Sequence, residues 1–169
     1  DSTATTSLRD DGQTLLLGAK ESTTELTISN LHAKPVVSFL RGFSAPVKVS
    51  HQRDAEELAF LVQHDTDGFV RWDAMQTLWM SHLDASAVTT VDPVAVLGGL
   101  AKGALELVTP EQQLLAATML TVPNENYLFE QLRGFDVDAL LDARDAAIKN
   151  AATSHADTWA ELVERHTAS

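Results

Sequence analysis

Asp67-Gly68-Phe69-Val70-Arg71-Trp72-Asp73-Ala74-Met75-Gln76-Thr77-Leu78-Trp79-Met80-Ser81-His82-Leu83 is the stretch whose reading decides the fold. Phe69, Trp72, Met75, Trp79, Met80 and Leu83 recur at three- and four-residue steps, which lines them along one face of a helix. Asp67 stands where a side-chain oxygen can cap the first free amides. Outward from this helix the same grammar repeats. Upstream, Arg53–Gln63 carries Leu58, Leu61 and Val62 on one stripe. Downstream, Asp92-Pro93 and Thr109-Pro110 both read as a cap followed by proline, placed where the missing N–H has no partner to lose. Gln112, three residues after Thr109, completes the pattern of a capping box. Val122-Pro123-Asn124 stops one helix and starts another. Asp136 opens a stretch with Val137, Leu140, Leu141, Ile148 and Ala151 on one face, which Trp159, Leu162 and Val163 extend towards the end. Short loops predict antiparallel neighbours in a bundle or α-solenoid, although no repeat of fixed period is visible.

Residues 1–52 follow a different pattern. Leu15–Leu17, Glu25–Ile28, Val36–Leu40 and Val47–Val49 read as strands, and Asp10-Asp11-Gly12 as the hairpin turn between Thr5–Arg9 and Gln13–Leu17. Pro35 and Pro46 fall at strand starts, where a lost donor does little harm. The expected class is therefore α+β: a partial antiparallel, immunoglobulin-like β-sandwich over 1–52, followed by an all-α helical array over 53–169. Four or five strands are too few for a closed sandwich of about seven, so part of the sheet is expected to lie elsewhere.

Charge marks the same boundary. The chain of 169 residues holds 12 Lys+Arg and 24 Asp+Glu, a net charge of -12. Residues 1–52 contribute five acids and five bases, and residues 53–169 the other 19 acids and 7 bases. Such a balance argues against a nucleic-acid partner, whose phosphates need clustered cations. At 44% hydrophobic and 21% charged, the chain can bury a core. No apolar run is long enough to span a bilayer, so no membrane association is expected. With no Cys, disulfides, thiolate metal sites and cysteine nucleophiles are all excluded. The sequence opens on Asp1 without an initiator Met, which suggests a piece of something longer.

The search for chemistry returns structural readings. His32, His51, His64, His82, His155 and His166 are scattered, and no two form an H-E-x-x-H motif. His64-Asp65 and the His82/Asp84 pair read as helix ends with a favourable cation near the C-terminal dipole. Ser44 lacks a G-x-S-x-G elbow and is expected to be a turn hydroxyl. Gly98-Gly99 and Gly103 have no Walker spacing; inside a helix they suggest close approach of a neighbouring helix. Trp72 and Trp79 read as core rather than as a ligand site. No residue is assigned a catalytic or metal-binding role, and no substrate-binding residue is picked out.

Two strings resemble a known family. Phe43-Ser44-Ala45-Pro46-Val47-Lys48, within Ser38–Val49, is similar to the strand closing the third, β-sandwich domain of bacterial aminopeptidase N, a zinc metallopeptidase of the gluzincin type. Phe69-Val70-Arg71-Trp72-Asp73-Ala74, within Leu58–Ala74, is similar to the beginning of that family's C-terminal helical domain. Leu120–Asn124 followed by the Asp136–Ala152 helix adds a third similarity. The resemblance implies a segment spanning the end of the third domain and the start of a superhelical fourth domain that helps enclose the active-site chamber. It implies zinc in the parent enzyme but none in this segment. It also implies the rest of the parent as partner, peptides as the parent's substrates, and a cytoplasmic location. The family's zinc-ligand, general-base and transition-state residues belong to its catalytic domain, so none is carried over to any position here. The competing reading is a stand-alone acidic β/α module that binds basic proteins. With almost no linker between strand and helix, sheet and helices are expected to dock rigidly, Trp72 in the core and Arg71 paired with an acid across the junction.

Overall fold

Helices begin where the capping residues stand. The computed structural model describes residues 5–8, 14–18, 23–47, 49–84, 89–131, 134 and 136–167, without the side chains of 5–8. The helices are α1 (Ala55–His64), α2 (Gly68–Leu83), α3 (Pro93–Ala104), α4 (Pro110–Met119), α5 (Glu125–Gln131), α6 (Val137–Ser154) and α7 (Ala156–Thr167). Asp54, Asp67, Asp92 and Asp136 accept hydrogen bonds from Glu57, Val70, Val94 and Ala139 N at 2.7, 3.0, 2.9 and 3.1 Å. Thr109 and Gln112 close the expected capping box, and Asn124 Oδ1 accepts from Tyr127 N at 2.9 Å. Each cap satisfies an amide that the helix cannot.

Two compact units make up the chain, Asp1–Pro35 and Val36–Ser169. In the first, β1 (Thr5–Leu8) and β2 (Leu15–Gly18) pair antiparallel, Thr5 opposite Gly18 and Leu8 opposite Leu15. The turn at Asp10-Asp11-Gly12 lies outside the described residues. These are the only strands among the described residues. The strands expected at Glu25–Ile28 and Val36–Leu40 are not formed, and Val47 and Val49 are irregular on either side of Lys48, which is not described. The reason is that apolar alternation specifies the faces of a strand, whereas its ladder needs a second backbone alongside. Leu26, Ile28 and Leu31 are accordingly exposed. Val36–Leu40 keeps the two-residue rhythm of a strand, half-buried at Val36, Ser38 and Leu40 and exposed at Val37 and Phe39, without pairing as one. The described chain is thus mostly helical.

In the second unit α1 and α2 form the closest helix pair. Helix α2 also meets α3, α4 and α6, and α3 meets α4, α6 and α7. The core runs through Leu58, Leu61 and Val62 of α1, Met75, Leu78 and Trp79 of α2, Leu97 of α3, Met119, Leu128 and Leu140. Trp79 and Met75 are fully buried, but Trp72 is only half-buried, its ring against Phe69 and Tyr127. The buried face of α2 therefore runs through Val70, Ala74 and Leu78 as well as Met75, Trp79 and Leu83, to one side of the stripe read from sequence. Val137 and Ile148 are exposed rather than core. One boundary falls where the residue pattern holds no sign of it: His155 (φ -126, ψ 28) ends α6, and α7 sets off as a separate helix. Trp159 Nε1 donates to Ala151 O at 2.9 Å and ties the two together.

Candidate functional site

Where the segment Val36–Val47 meets the helices, the junction is held by polar contacts. Arg41 begins a single 3-10 turn (Arg41–Phe43). Its Nη1 donates to Asp65 Oδ1 at 2.8 Å and its Nη2 to Thr66 Oγ1 at 2.7 Å. Next to it, Gly42 N donates to Asp67 Oδ2 at 2.6 Å. The Asp65 side chain is 2% exposed and that of Arg41 25%, so the pair is shielded from solvent and charge-assisted. Asp65 Oδ1 also accepts from Asp67 N at 2.8 Å, and Asp67 caps α2 through its other oxygen. Phe43 meets Phe69 edge-on, centroids 5.3 Å apart. The acid–base pair expected of Arg71 is thus made by Arg41. Arg71 Nε instead donates to Val62 O at 2.8 Å, at the end of α1. Burial holds its guanidinium below the ordinary value, against the opposing pull of Asp65.

A second arginine grips the same segment from the other side. Arg53 Nη2 donates to Val37 O at 3.1 Å and its guanidinium lies over the Phe39 ring, 5.6 Å from the centroid. It also faces the half-buried Asp73, whose carboxyl burial pushes up while Arg53 pulls it down. Tyr127 is raised as well, by burial first and by Asp73 second. The sequence points to Asp65 beside His64, to Asp67 as a cap and to Arg71 beside Trp72, but not to Arg41, Arg53 or Tyr127. The cue was there in part, since Arg41 lies inside the Phe39-Leu40-Arg41-Gly42-Phe43 string.

Residues weighed for chemistry are placed as structure. His64 rests on Phe60, His82 on Trp79 and His51 on Phe39. His155 Nε2 bonds to Val94 O at 3.1 Å. Among the described residues no group of three or more His, Asp or Glu is arranged to hold a metal ion. Ser44 follows the 3-10 turn and is exposed. Of the glycines read as close-approach sites, only Gly98 is one: a Cβ there would overlap the imidazole of His155, whereas Gly99 and Gly103 have open space. No helix among the described residues is long and apolar enough to cross a membrane.

Helices α3, α4 and α7 enclose an open, nearly all-apolar groove of about 380 Å³. Ala116, Ala117 and Leu120 line one wall, Trp159, Leu162 and Val163 the other. Helix α7 has no fully buried residue, and Val163 is 61% exposed. An apolar face left open at the side of a helical array is what a further stacked helix would cover.

Comparison with known proteins agrees with the helical reading. Over 146 residues the chain is 29% identical to aminopeptidase N of Escherichia coli, covering 84% of this chain and 17% of that protein. Aminopeptidase N of Haemophilus influenzae is 28% identical over 81% of this chain and 16% of its own. That of Caulobacter vibrioides is 33% identical over 66% and 13%. The chain therefore spans less than a fifth of the length of these relatives. Among solved structures, Legionella pneumophila aminopeptidase A in complex with aspartic acid shares the fold with a TM-score of 0.77. It is 24% identical, over 92% of this chain and 18% of that one. Nothing in these similarities supports the stand-alone acidic module. Residues 55–169, from the first turn of α1 onward, match the profile described as a domain of unknown function with ARM repeats, DUF3458_C, and the chain belongs to that family.

Proposed function

We propose that this chain is a non-catalytic structural segment of a zinc-dependent aminopeptidase N, the enzyme that removes N-terminal amino acids from peptides. In this reading residues 1–52 are the closing part of a β-sandwich domain, and residues 53–169 the first helices of a C-terminal domain that helps enclose the active-site chamber. The partner is the rest of the parent polypeptide, catalytic and remaining helical domains included; the parent is cytoplasmic. The observation that carries the reading is one of proportion: aminopeptidase N sequences match over 81–84% of this chain but only 16–17% of their own length. The open apolar groove between α4 and α7 adds support, since it is a surface a neighbouring helix would cover.

Zinc in such an enzyme polarises the scissile carbonyl and lowers the pKa of its bound water. The residues here do not fit that chemistry, because four of the six histidines are engaged with aromatic rings or a backbone carbonyl, and no three donors converge among the described residues. No step of the reaction is assigned to them. The test is direct. The purified 169-residue chain should hydrolyse no aminoacyl-arylamide and retain no stoichiometric zinc. The whole reading frame should encode H-E-x-x-H upstream of Asp1 and yield a chelator-sensitive aminopeptidase. Chelator-sensitive turnover by the short chain, or a frame without that motif, refutes the reading.

A further inference from the structure

The segment Val36–Phe43 lies on the helical unit with Val36 against the core and little else of what usually fixes a chain. Val37, Phe39 and Phe43 are exposed, and no backbone ladder runs along it. Three of its last four residues, Leu40 (φ 56), Gly42 (φ 64) and Phe43 (φ 50), stand in the left-handed region, which penalises the two with a Cβ. Against this, polar groups hold it at both ends. Arg53 grips Val37 O and the Phe39 ring. The Asp65–Asp67 loop takes Arg41 and the Gly42 amide.

We infer that Val36–Phe43 is a strap, held on the helices by two arginine clasps under conformational strain and able to open as a unit while the helical core stays folded. Local opening of this kind is the expected behaviour of a segment with few buried apolar contacts and a strained backbone. Strain favours release, and the clasps oppose it, so the seated state depends on Arg41 and Asp65 more than on burial. The inference rests on contacts within this chain and is independent of the aminopeptidase reading: either can fail alone.

The Gly42 amide reports on the strap, because its acceptor is Asp67 across the junction. Native-state hydrogen exchange of the unmodified chain in rising urea, followed by NMR, should show Gly42 exchanging by a local route with a small urea dependence. The Leu78 and Trp79 amides should follow global unfolding with a steep one. In Arg41→Ala the Gly42 amide should exchange roughly 10- to 150-fold faster, as the loss of charged hydrogen bonds implies. The Leu78 and Trp79 amides should change less than about twofold in that variant. Arg41→Lys, with one donor group in place of a fork, should fall between. Equal urea dependence for Gly42 and Trp79 in the unmodified chain overturns the inference. So does an unchanged Gly42 rate in Arg41→Ala, or acceleration of helix and strap amides in step.

Discussion

Adding one methyl group at Gly98 should destabilise the protein, although the same change usually strengthens a helix. Gly98 is buried in α3, and His155 lies against it where α6 gives way to α7, its Nε2 bonded to Val94 O at 3.1 Å. A Cβ at 98 would occupy space already held by the ring atoms Cε1, Nε2 and Nδ1. The ring must move, so the carbonyl bond is lost, at about 0.5–1.5 kcal/mol. Overpacking of the α3–α6–α7 contact adds about 1–3 kcal/mol. Ala in place of Gly returns about 1 kcal/mol of helix propensity. The balance is a destabilisation of about 0.5–3.5 kcal/mol, at roughly 2–4 °C of Tm for each kcal/mol in a domain of this size. Gly99→Ala and Gly103→Ala, which meet nothing within 4 Å, should instead raise Tm by a degree or more. Thermal melts by circular dichroism on the three variants decide the matter. Gly98→Ala with His155→Ala should be less destabilising than the two single changes added together, because the alanine at 155 vacates the overlapped space. If Gly98→Ala melts higher than the parent chain, as Gly99→Ala should, the close approach of His155 is wrong.

Two further substitutions probe the core and its charge. Trp79→Ala should cost about 3–5 kcal/mol and Trp72→Ala only about 1–2 kcal/mol, since one ring is fully buried and the other borders Phe69 and Tyr127; equal losses in urea unfolding would contradict the assignment. Asp73 has a native pKa raised above its ordinary 3.8, so the folded state holds this proton more tightly than the unfolded one. Its contribution to stability is then complete below pH 3.8 and is lost as pH rises through the raised value. Asp73→Asn, which never ionises, should melt with the parent chain near pH 3 and increasingly above it from about pH 4 towards 7; a difference that stays constant with pH would exclude this origin.

Helix starts were legible because they are local. An Asp, Thr or Asn before an apolar period satisfies the free amides within one turn, and Asp67, Asp92, Thr109, Asn124 and Asp136 all do so, Asp92 and Thr109 with Pro at the next position. What escaped was long-range. Residues 151–156 contain neither Gly nor Pro, and the break at His155 is bonded to Val94, 61 residues away in sequence. Val36–Leu40 alternates as a strand should, but alternation cannot say whether a second strand lies alongside. The same limit applies to the junction. Arg71 drew attention for its position beside Trp72, whereas Arg41 makes the buried pair, because only the fold carries it across 24 residues to Asp65. Gly98-Gly99 looked like one feature in sequence, yet a neighbour reaches only the first of the two.

Asp67 narrows what drift can do to this region. One of its oxygens receives Val70 N and the other Gly42 N. Ser or Thr would still begin the helix but has a single oxygen to offer. Asn would turn its amide NH2, itself a donor, towards one of the two backbone donors. Substitutions that any capping position elsewhere in the chain would tolerate should therefore be selectively disfavoured at this one.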